Sequence, residues 1–429
     1  MTKGISYGWV IVTSAFLITF ITCGVNFSYG VFFLPIVNEF GWSRGLASAV
    51  MLVAGIVYAV TLPLTGILAD RYGYKWVLAI SAGCLSLGLI LSSWIQELWQ
   101  LYLFNGLLVG LSISASFAIP VSLIALWFSK RQGLALGVAT LGISLGTATI
   151  PLLISYLITS IGWRPALLLA GIAVALICIP AALLMRSPPL NTAFTEAVSA
   201  GNGKKGTREQ GAATDMQTGL TVSEAIRTGQ FWMLFLIFLL FLSGLGLVML
   251  HLVPYAVDSG IAPVQAAVLI TLIGIFGMAG RLASGLLSDR IGIKPVMLFC
   301  SVLLGLNIAW IAFCQEPWAF YIFASVYGIA YSGFVTQMVR ITRSVFGARA
   351  LGSVFGALMV ADGIGFGVGP WVAGNIFDAT GSYQVSFVVA AIGLVIAAVL
   401  TVAVRPAKNP RVRNSTGFPE RNPLNNPFI

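Results

Sequence analysis

Twelve long apolar stretches follow one another along the 429 residues of this chain, with few charges to interrupt them. A helix that crosses a bilayer needs roughly 20 consecutive apolar residues, and each stretch is about that long. Charged residues make up only 8% of the chain, whereas a soluble domain has roughly 25%, so a soluble protein of this size is excluded. We therefore expect an all-α polytopic membrane protein with twelve transmembrane helices. The predicted spans lie near residues 7–35, 44–69, 75–95, 98–127, 132–159, 163–186, 230–256, 263–288, 294–314, 317–343, 350–376 and 382–404.

The spans divide into two groups of six, separated by a stretch rich in Gly, Thr, Ala and Ser that has no apolar period. Such a composition is typical of a flexible linker. The end of this stretch, Thr221 to Arg227, is predicted to form a short helix capped by Ser223. The predicted domains are an N-terminal six-helix bundle (1–186), a cytoplasmic linker (187–229), a C-terminal six-helix bundle (230–405) and a disordered cytoplasmic tail (406–429).

The two halves repeat each other. GILADRYGYK at 66–75 returns as GLLSDRIGIK at 285–294, an offset of 219 residues. An even number of spans per repeat makes the repeats parallel, which predicts two pseudo-symmetric bundles with the ligand bound between them near mid-depth. The same offset relates Pro35 to Pro254, Gly41 to Gly260, Gly133 to Gly352, Gly137 to Gly356, Gly146 to Gly365, Pro151 to Pro370 and Gly162 to Gly381.

The basic residues predict the orientation. With both termini in the cytoplasm, every Lys and Arg except Arg44, Arg164 and Arg281 falls on the cytoplasmic side, as the positive-inside rule requires. The net charge of +10 is therefore a topology signal, and a nucleic-acid partner is not predicted. The expected location is the plasma membrane, or the inner membrane of a bacterium.

Two charged residues, Arg281 and Asp362, lie deep inside predicted spans, away from the span ends, and such residues mark function by default. Arg281 precedes Asp289 by eight residues, which places it about 12 Å from the cytoplasmic end of its helix. Its guanidinium stays charged and binds a carboxylate through two hydrogen bonds. Asp362, ten residues past Gly352, has a similar depth. We expect Asp362 to pair with Arg281 in an empty site and to take up a proton when a substrate carboxylate displaces it; a static pair is the alternative.

Neutral side chains are expected to form the rest of the site. The positions equivalent to Arg281 and Asp362 in the first repeat are Leu62 and Ile143, so the anion chemistry is assigned to the C-terminal half. Tyr331 is the preferred donor of a hydroxyl hydrogen bond to the substrate. For each of these neutral residues, the alternative to a substrate contact is simple packing between helices. The candidate substrate contacts besides Arg281 are Asn26, Phe27, Tyr29, Phe117, Ser144, Leu145, Tyr327 and Tyr331.

His251 is the sole histidine of the chain. Its place near the outer end of span 7 favours a hydrogen-bonded histidine in the outer leaflet, with proton sensing as the alternative. No nucleophile, nucleotide-binding or metal-ligand spacing is found, so no enzyme activity, cofactor or metal is predicted.

The repeated motif resembles the signature of the major facilitator superfamily between spans 2 and 3, Gly-x-Leu-a-Asp-r-x-Gly-r-Lys/Arg. The resemblance implies that Asp70, Arg71, Asp289 and Arg290 form a cytoplasmic gate motif that pairs with neighbouring helix ends. Trp127 to Gly137 is similar to the motif that begins span 5 in monocarboxylate transporters, with Gln132 in place of its third basic residue.

The same family resemblance extends to Tyr7-Gly8-Trp9-Val10 in span 1 and to Arg281, which is followed four residues later by Gly285. Bacterial oxalate:formate exchangers share much of this pattern.

The chain also departs from these relatives. Animal monocarboxylate transporters carry Lys in span 1 and Asp one turn before the span-8 arginine, where this chain has Phe27 and Gly277. The exchanger type carries a second cation in span 11, where this chain has Leu358. A single cation favours a monocarboxylate over a dianion, because a second carboxylate would be left unpaired in a medium of low dielectric constant.

The resemblance implies a secondary active transporter of small monocarboxylates of the bacterial lactate/pyruvate type, working by proton symport with alternating access. An organic-anion exchanger of the oxalate/formate type is the first alternative, and a membrane sensor built on a transporter scaffold is the second. The expected partners are a small monocarboxylate anion, a proton and the lipid bilayer, and a monomer is the expected oligomeric state.

Overall fold

Twelve helical spans in the structure are long and apolar enough to cross a membrane. The structure is a computed structural model, and it describes residues 2–128, 132–187, 219–313 and 316–407. These residues contain no β-strand, and one isolated bridge joins Gly219 to Gly347. The prediction of an all-α membrane protein with twelve spans is confirmed. Spans 1 to 12 are Tyr7–Phe40, Arg44–Tyr72, Tyr74–Ser92, Leu98–Ile124, Gly133–Ile161, Trp163–Leu184, Gly229–Asp258, Pro263–Ile291, Ile293–Ile311, Pro317–Phe346, Leu351–Thr380 and Gln384–Ala403.

The predicted repeat is visible in the helix boundaries and in the turns between them. The helix Arg44–Tyr72 corresponds to Pro263–Ile291, each bound displaced by the offset seen in the sequence. Glycines with positive φ end helices in matching pairs, a backbone conformation that side chains disfavour. These pairs are Gly41 and Gly260, Gly73 and Gly292, and Gly162 and Gly381. The two six-helix bundles therefore share one backbone plan.

Three spans depart from regular α-helix. Span 1 is interrupted at Ser28, between the helices Thr2–Phe27 and Tyr29–Phe40. Span 4 contains a π-helix over Tyr102–Leu108, a wide turn that often marks a functional position. Span 11 is interrupted at Met359, between Leu351–Leu358 and Val360–Thr380.

Glycines bring the two bundles into close contact at one end. A Cβ atom on Gly55 of span 2 would lie 1.9 Å from the carbonyl oxygen of Gly363 in span 11, and one on Gly274 of span 8 would lie 2.8 Å from the carbonyl oxygen of Ser144 in span 5. Small residues allow helix backbones to approach this closely in a membrane. We call this end, which carries the Gly41 and Gly260 turns, the closed end.

The opposite end, with the Gly73 and Gly292 turns, is called the open end. Glycines of spans 2, 5, 8 and 11 near it have open space around them, since no atom of another element lies within 4 Å of a Cβ built on them. These glycines are Gly66, Gly133, Gly137, Gly285, Gly352 and Gly356. The close glycine contacts that join the bundles at the closed end therefore have no counterpart at these six positions.

The predicted short helix before span 7 is present over Val222–Ile226, but its cap differs from the expectation. Thr221 is the N-cap, and its hydroxyl accepts a hydrogen bond from the Glu224 backbone N–H while the Glu224 carboxylate accepts one from the Thr221 backbone N–H. This reciprocal pair satisfies two backbone donors together, which Ser223, inside the helix, does not do. Most of the predicted linker (188–218) and tail (408–429) lies outside the described residues.

Replacing Gly55 by Leu is expected to separate the bundles at the closed end without unfolding either bundle. The side chain has no room against Gly363, and overpacking a tight contact costs roughly 1–3 kcal/mol. Spin labels on cysteines placed at the exposed positions Leu46 and Val385 are expected to move apart by several ångströms, as read by pulsed electron resonance.

The matched control is Gly83→Leu in span 3, where a Cβ meets no other atom within 4 Å. An unchanged label distance in Gly55→Leu, or an equal change in the control, would contradict this role of the Gly55 contact.

Candidate functional site

Arg281 lies at the contact between spans 8 and 5 with much of its hydrogen-bonding capacity unused. Its Nη1 donates a long hydrogen bond of 3.4 Å to the Thr140 carbonyl oxygen. Its Nε is buried and has no partner, and none of the ion pairs among the described residues includes it. Gly277, one helical turn earlier, packs closely against span 10, since a Cβ atom there would lie 2.6 Å from the Ser332 hydroxyl oxygen. A half-buried guanidinium with unused donors is suited to bind an anion.

Asp362 lies in the first turn of the helix Val360–Thr380, directly after the interruption of span 11. Its half-buried carboxyl interacts with the Tyr58 hydroxyl of span 2, on the other bundle. A carboxylate in the first turn of a helix is stabilised by the helix dipole. Asp362 therefore has a partner from the N-terminal bundle in this conformation.

The expected ion pair between Arg281 and Asp362 is absent from the described ion pairs. Arg281 faces the contact of spans 5 and 8, whereas Asp362 faces the contact of spans 2 and 11. Counting residues along a helix fixes the depth of a side chain, but the direction in which it points depends on helix packing. The expectation of a direct pair in the empty site is thus wrong for this conformation.

Asn26 and Phe27 lie beside the interruption of span 1. Phe27 packs against Phe366 of span 11, with 6.3 Å between ring centroids. Asn26 is half-buried and lines two adjoining cavities together with Tyr29 and Met51. These span-1 residues therefore reach the boundary between the bundles, as the sequence predicts.

The other predicted wall residues are spread over spans 4, 5 and 10. Tyr327 and Tyr331 stack on each other with centroids 6.0 Å apart and belong to the core of the C-terminal bundle. Ser144 is buried against Gly274 and Leu145 is half-buried beside it. The Phe117 side chain lies outside the described part of the structure. Contact of these residues with a substrate stays a prediction.

The gate motif of the second repeat makes contacts within its own bundle. Asp289 forms an ion pair of 2.5 Å with Arg340 of span 10, and Arg340 also donates to the Ser288 hydroxyl. In the first repeat, Asp70 accepts a hydrogen bond of 3.2 Å from the Tyr74 hydroxyl. Both motifs border the open end. Their role in closing that end stays a prediction.

The Arg71 and Arg290 side chains complete the predicted gate motif. The Arg71 guanidinium lies over the neighbouring Tyr72 ring, 5.4 Å from its centroid, and Arg290 lies exposed in the last turn of span 8. The sequence reasoning missed Arg340, whose only signal in the sequence is that it is a cation near the end of a span.

A polar network holds the closed end together, and the sequence reasoning treated its charges only as orientation markers. Arg44 of span 2 forms a two-bond ion pair with Asp258 of span 7, at 2.5 and 3.0 Å. Asp378 of span 11 accepts hydrogen bonds from the Arg44 and Gly45 backbone N–H groups, at 2.8 and 2.7 Å. A carboxylate of one bundle thus caps a helix of the other.

His251 is fully buried and extends this network inward. Its Nε2 lies 3.0 Å from the Pro370 carbonyl oxygen, and a carbonyl only accepts, so Nε2 carries the proton. The Tyr383 hydroxyl then donates to Nδ1 over 2.9 Å and accepts from the Arg44 guanidinium over 3.0 Å. This is the hydrogen-bonded histidine that the sequence favours. We call Arg44, His251, Asp258, Asp378 and Tyr383 the closed-end lock.

Replacing Arg44 by Gln is expected to loosen the closed end. The change removes the ion pair to Asp258 and the contact to Tyr383 together. A membrane-impermeant maleimide is expected to label a cysteine placed at Met51 at least several-fold faster in this variant. Arg164→Gln is the control, because Arg164 pairs with Glu39 inside the N-terminal bundle. Equal labelling rates in Arg44→Gln and in the parent would rule out the lock.

Comparison with known proteins gives the family. The sequence model of the Major Facilitator Superfamily matches residues 15–305 and 252–428. Monocarboxylate transporter 12 of Homo sapiens is 26% identical over 422 residues, which cover 94% of this chain and 82% of that protein. Monocarboxylate transporter 3 of Rattus norvegicus is 28% identical over 402 residues, covering 92% and 79% of the two chains.

Solved structures agree on the fold. A bacterial homolog of the human lysosomal transporter Spinster, inward-facing and unoccupied, superposes with a TM-score of 0.70 at 18% identity, covering 93% of this chain and 97% of that one. A mutant of the nucleoside transporter NupG gives a TM-score of 0.74 at 16% identity, covering 92% and 99%. The chain belongs to the major facilitator superfamily, and it resembles the monocarboxylate transporters within it.

Proposed function

We propose that this protein transports small monocarboxylates of the lactate/pyruvate class across the membrane, together with protons. The observation that carries the proposal is Arg281, a guanidinium with an unpartnered Nε at the boundary of two bundles that are open on one side. The relatives named monocarboxylate transporters support the same substrate class.

The charges around the cavity favour an anion with one carboxylate. Arg281 supplies one positive charge. Asp362 lies at the contact between spans 2 and 11, where it is paired with Tyr58 and not with Arg281. A second substrate carboxylate would meet the negative charge of Asp362 in a medium of low dielectric constant, where like charges repel strongly. This disfavours a dicarboxylate.

The same repulsion suggests how a proton accompanies the substrate. A substrate anion at Arg281 and an ionised Asp362 in one cavity cost Coulomb energy, and a proton on Asp362 removes that cost. In this form the coupling needs no direct contact between the two residues. No ion pair is displaced when the substrate binds. Instead, the proton on Asp362 balances the negative charge that the substrate brings into the cavity.

Alternating access follows from the two ends of the fold. The closed-end lock and the glycine contacts hold the bundles together on one side, while the other side is open. With the orientation predicted from the basic residues, both termini and the open end face the cytoplasm. Opening the lock and joining the Gly66 and Gly285 motifs produces the opposite state.

Uptake of radiolabelled lactate into proteoliposomes tests the proposal. An inward proton gradient is expected to drive accumulation above equilibrium in the parent protein. Counterflow without such accumulation would identify an exchanger, and the absence of both would identify a protein that is not a transporter of lactate.

Arg281→Lys is expected to lower the uptake rate roughly tenfold or more, because an ammonium cannot make the paired hydrogen bonds of a guanidinium. Arg281→Gln is expected to abolish uptake. Initial rates are measured at equal amounts of reconstituted protein, with Arg405→Gln, a change at an exposed arginine after span 12, as the control. Full activity in Arg281→Gln would overturn the assignment of the anion site.

Asp362→Asn is expected to abolish proton-driven accumulation while leaving lactate counterflow intact, since the variant is permanently neutral. Tyr58→Phe, which removes the hydroxyl partner and keeps the carboxyl, is expected to retain accumulation. Accumulation that still responds to the proton gradient in Asp362→Asn would show that the coupling site lies elsewhere.

A further inference from the structure

Span 10 carries a buried hydroxyl that has no hydrogen-bond partner. Ser332 is fully buried, and its Oγ makes no hydrogen bond with any residue that the structure describes. A serine inside a helix can donate to the carbonyl four residues earlier, as Ser301 and Ser325 do. The Ser332 hydroxyl does not, although a buried polar group without a partner costs free energy. The position of this hydroxyl therefore has another cause.

The hydroxyl points at Gly277 of span 8. A Cβ atom on Gly277 would lie 2.6 Å from the Ser332 Oγ, whereas the next atoms, the Gly328 carbonyl oxygen and the Ser332 Cβ, would be 3.6 and 3.7 Å away. The latter two are ordinary contact distances. An alanine at position 277 would therefore collide with the hydroxyl alone. The Ser332 oxygen thus fills the place that a side chain at position 277 would take.

Arg281 follows Gly277 by one helical turn, on neighbouring positions of one helix face. Cβ atoms four residues apart in a helix are about 5–6 Å apart. The Ser332 Oγ therefore lies no more than about 9 Å from the Arg281 Cβ. A long side chain in a helix leans toward the start of the helix, which directs Arg281 toward Gly277 and the hydroxyl. The Arg281 Nε is also buried and without a partner among the described residues, so an unused donor and an unused acceptor lie beside the same helical turn.

The guanidinium is weakly held in this conformation. Its one described hydrogen bond, of 3.4 Å, runs from Nη1 to the Thr140 carbonyl oxygen. A carboxylate binds a guanidinium best through two parallel N–H groups, so the bond to Thr140 occupies a donor that an anion can use. An acceptor at Nε would instead leave both Nη groups free and would fix the plane in which they lie.

We propose that Ser332 is a positioning residue of the anion site, and that its hydroxyl oxygen accepts a hydrogen bond from the Arg281 Nε when a substrate carboxylate is bound. This rests on the proposed function. Substrate binding then moves Nη1 from the Thr140 carbonyl to the carboxylate, while the Ser332 oxygen holds the guanidinium plane. Because the hydroxyl is neutral, the whole positive charge of Arg281 remains available to the anion, whereas a carboxylate in the same place would neutralise it.

Ser332→Ala, measured by lactate uptake into proteoliposomes that contain the full-length protein, tests the proposal. The KM is expected to rise roughly tenfold, because a hydrogen bond to a charged group is lost, while the maximal rate changes little. The unfolding temperature without substrate is expected to stay the same or rise, since a buried hydroxyl without a partner is removed. Ser301→Ala is the control, because it removes an equally buried hydroxyl that is bonded within its own helix, and its KM is expected to equal that of the parent.

The hydroxyl can be returned from the neighbouring helix. With the Ser332 Oγ removed, the nearest atoms to a Cβ at position 277 are 3.6 and 3.7 Å away, so Ser332→Ala makes room for a small residue there. Gly277→Ser combined with Ser332→Ala is expected to bring the KM back toward the parent value. Gly277→Ala combined with Ser332→Ala fills the same place without a hydroxyl and is expected to keep the raised KM. A purely structural role of Ser332 would treat the two double variants alike.

The outcomes separate this proposal from the proposed function. An unchanged KM in Ser332→Ala, or equal KM values in the two double variants, overturns the positioning role and leaves the proposed function intact. Failure of the parent protein to transport any monocarboxylate overturns both. A raised KM in Ser332→Ala that recovers only when the hydroxyl returns at position 277 supports the positioning role, because the two double variants differ by that hydroxyl alone.

Discussion

A guanidinium at the middle of a membrane is the constraint on which this fold depends. Placing an arginine at the centre of a spanning helix costs at least roughly 2.5–3.5 kcal/mol on insertion scales, and here no described carboxylate offsets that cost at Arg281. The charge is tolerated only where water or an anion reaches it. The open space around Gly66 and Gly285, toward the open end, is where such access is available.

The internal repeat supplies the same backbone twice and different chemistry each time. Arg281 and Asp362 both belong to the second repeat, but each meets a partner from the first, the Thr140 carbonyl and Tyr58. At the repeat offset Tyr58 corresponds to Gly277, which carries no side chain and packs closely against Ser332 of its own bundle. Two similar halves thus place a cation at one contact between the bundles and a carboxylate at the other.

Periodic features of the sequence predicted most of the fold. The twelve spans and the repeat follow from apolar length and from a shared offset, which depend little on packing. The orientation of Asp362 did not follow, because residue counting gives depth and not direction. The closed-end lock was missed because Arg44, Asp258 and Asp378 lie near the ends of three separate helices that only the packed bundles bring together. The capping residue Thr221 was two positions from the predicted one, although the Glu224 three residues later was a usable signal.

Asp378 gives the closed end a property that the ion pair between Arg44 and Asp258 lacks. It accepts hydrogen bonds from two main-chain N–H groups at the start of span 2, groups that a regular helix leaves without partners. Any residue except proline presents the donor at position 44, whereas position 45 needs glycine, because a Cβ atom there would lie 2.8 Å from an Asp378 carboxylate oxygen. When the bundles separate, water accepts hydrogen bonds from the same N–H groups. Separation of the bundles therefore leaves few hydrogen-bond donors unsatisfied. This part of the seal therefore depends on main-chain donors and on the absence of a side chain at position 45, and water can replace it.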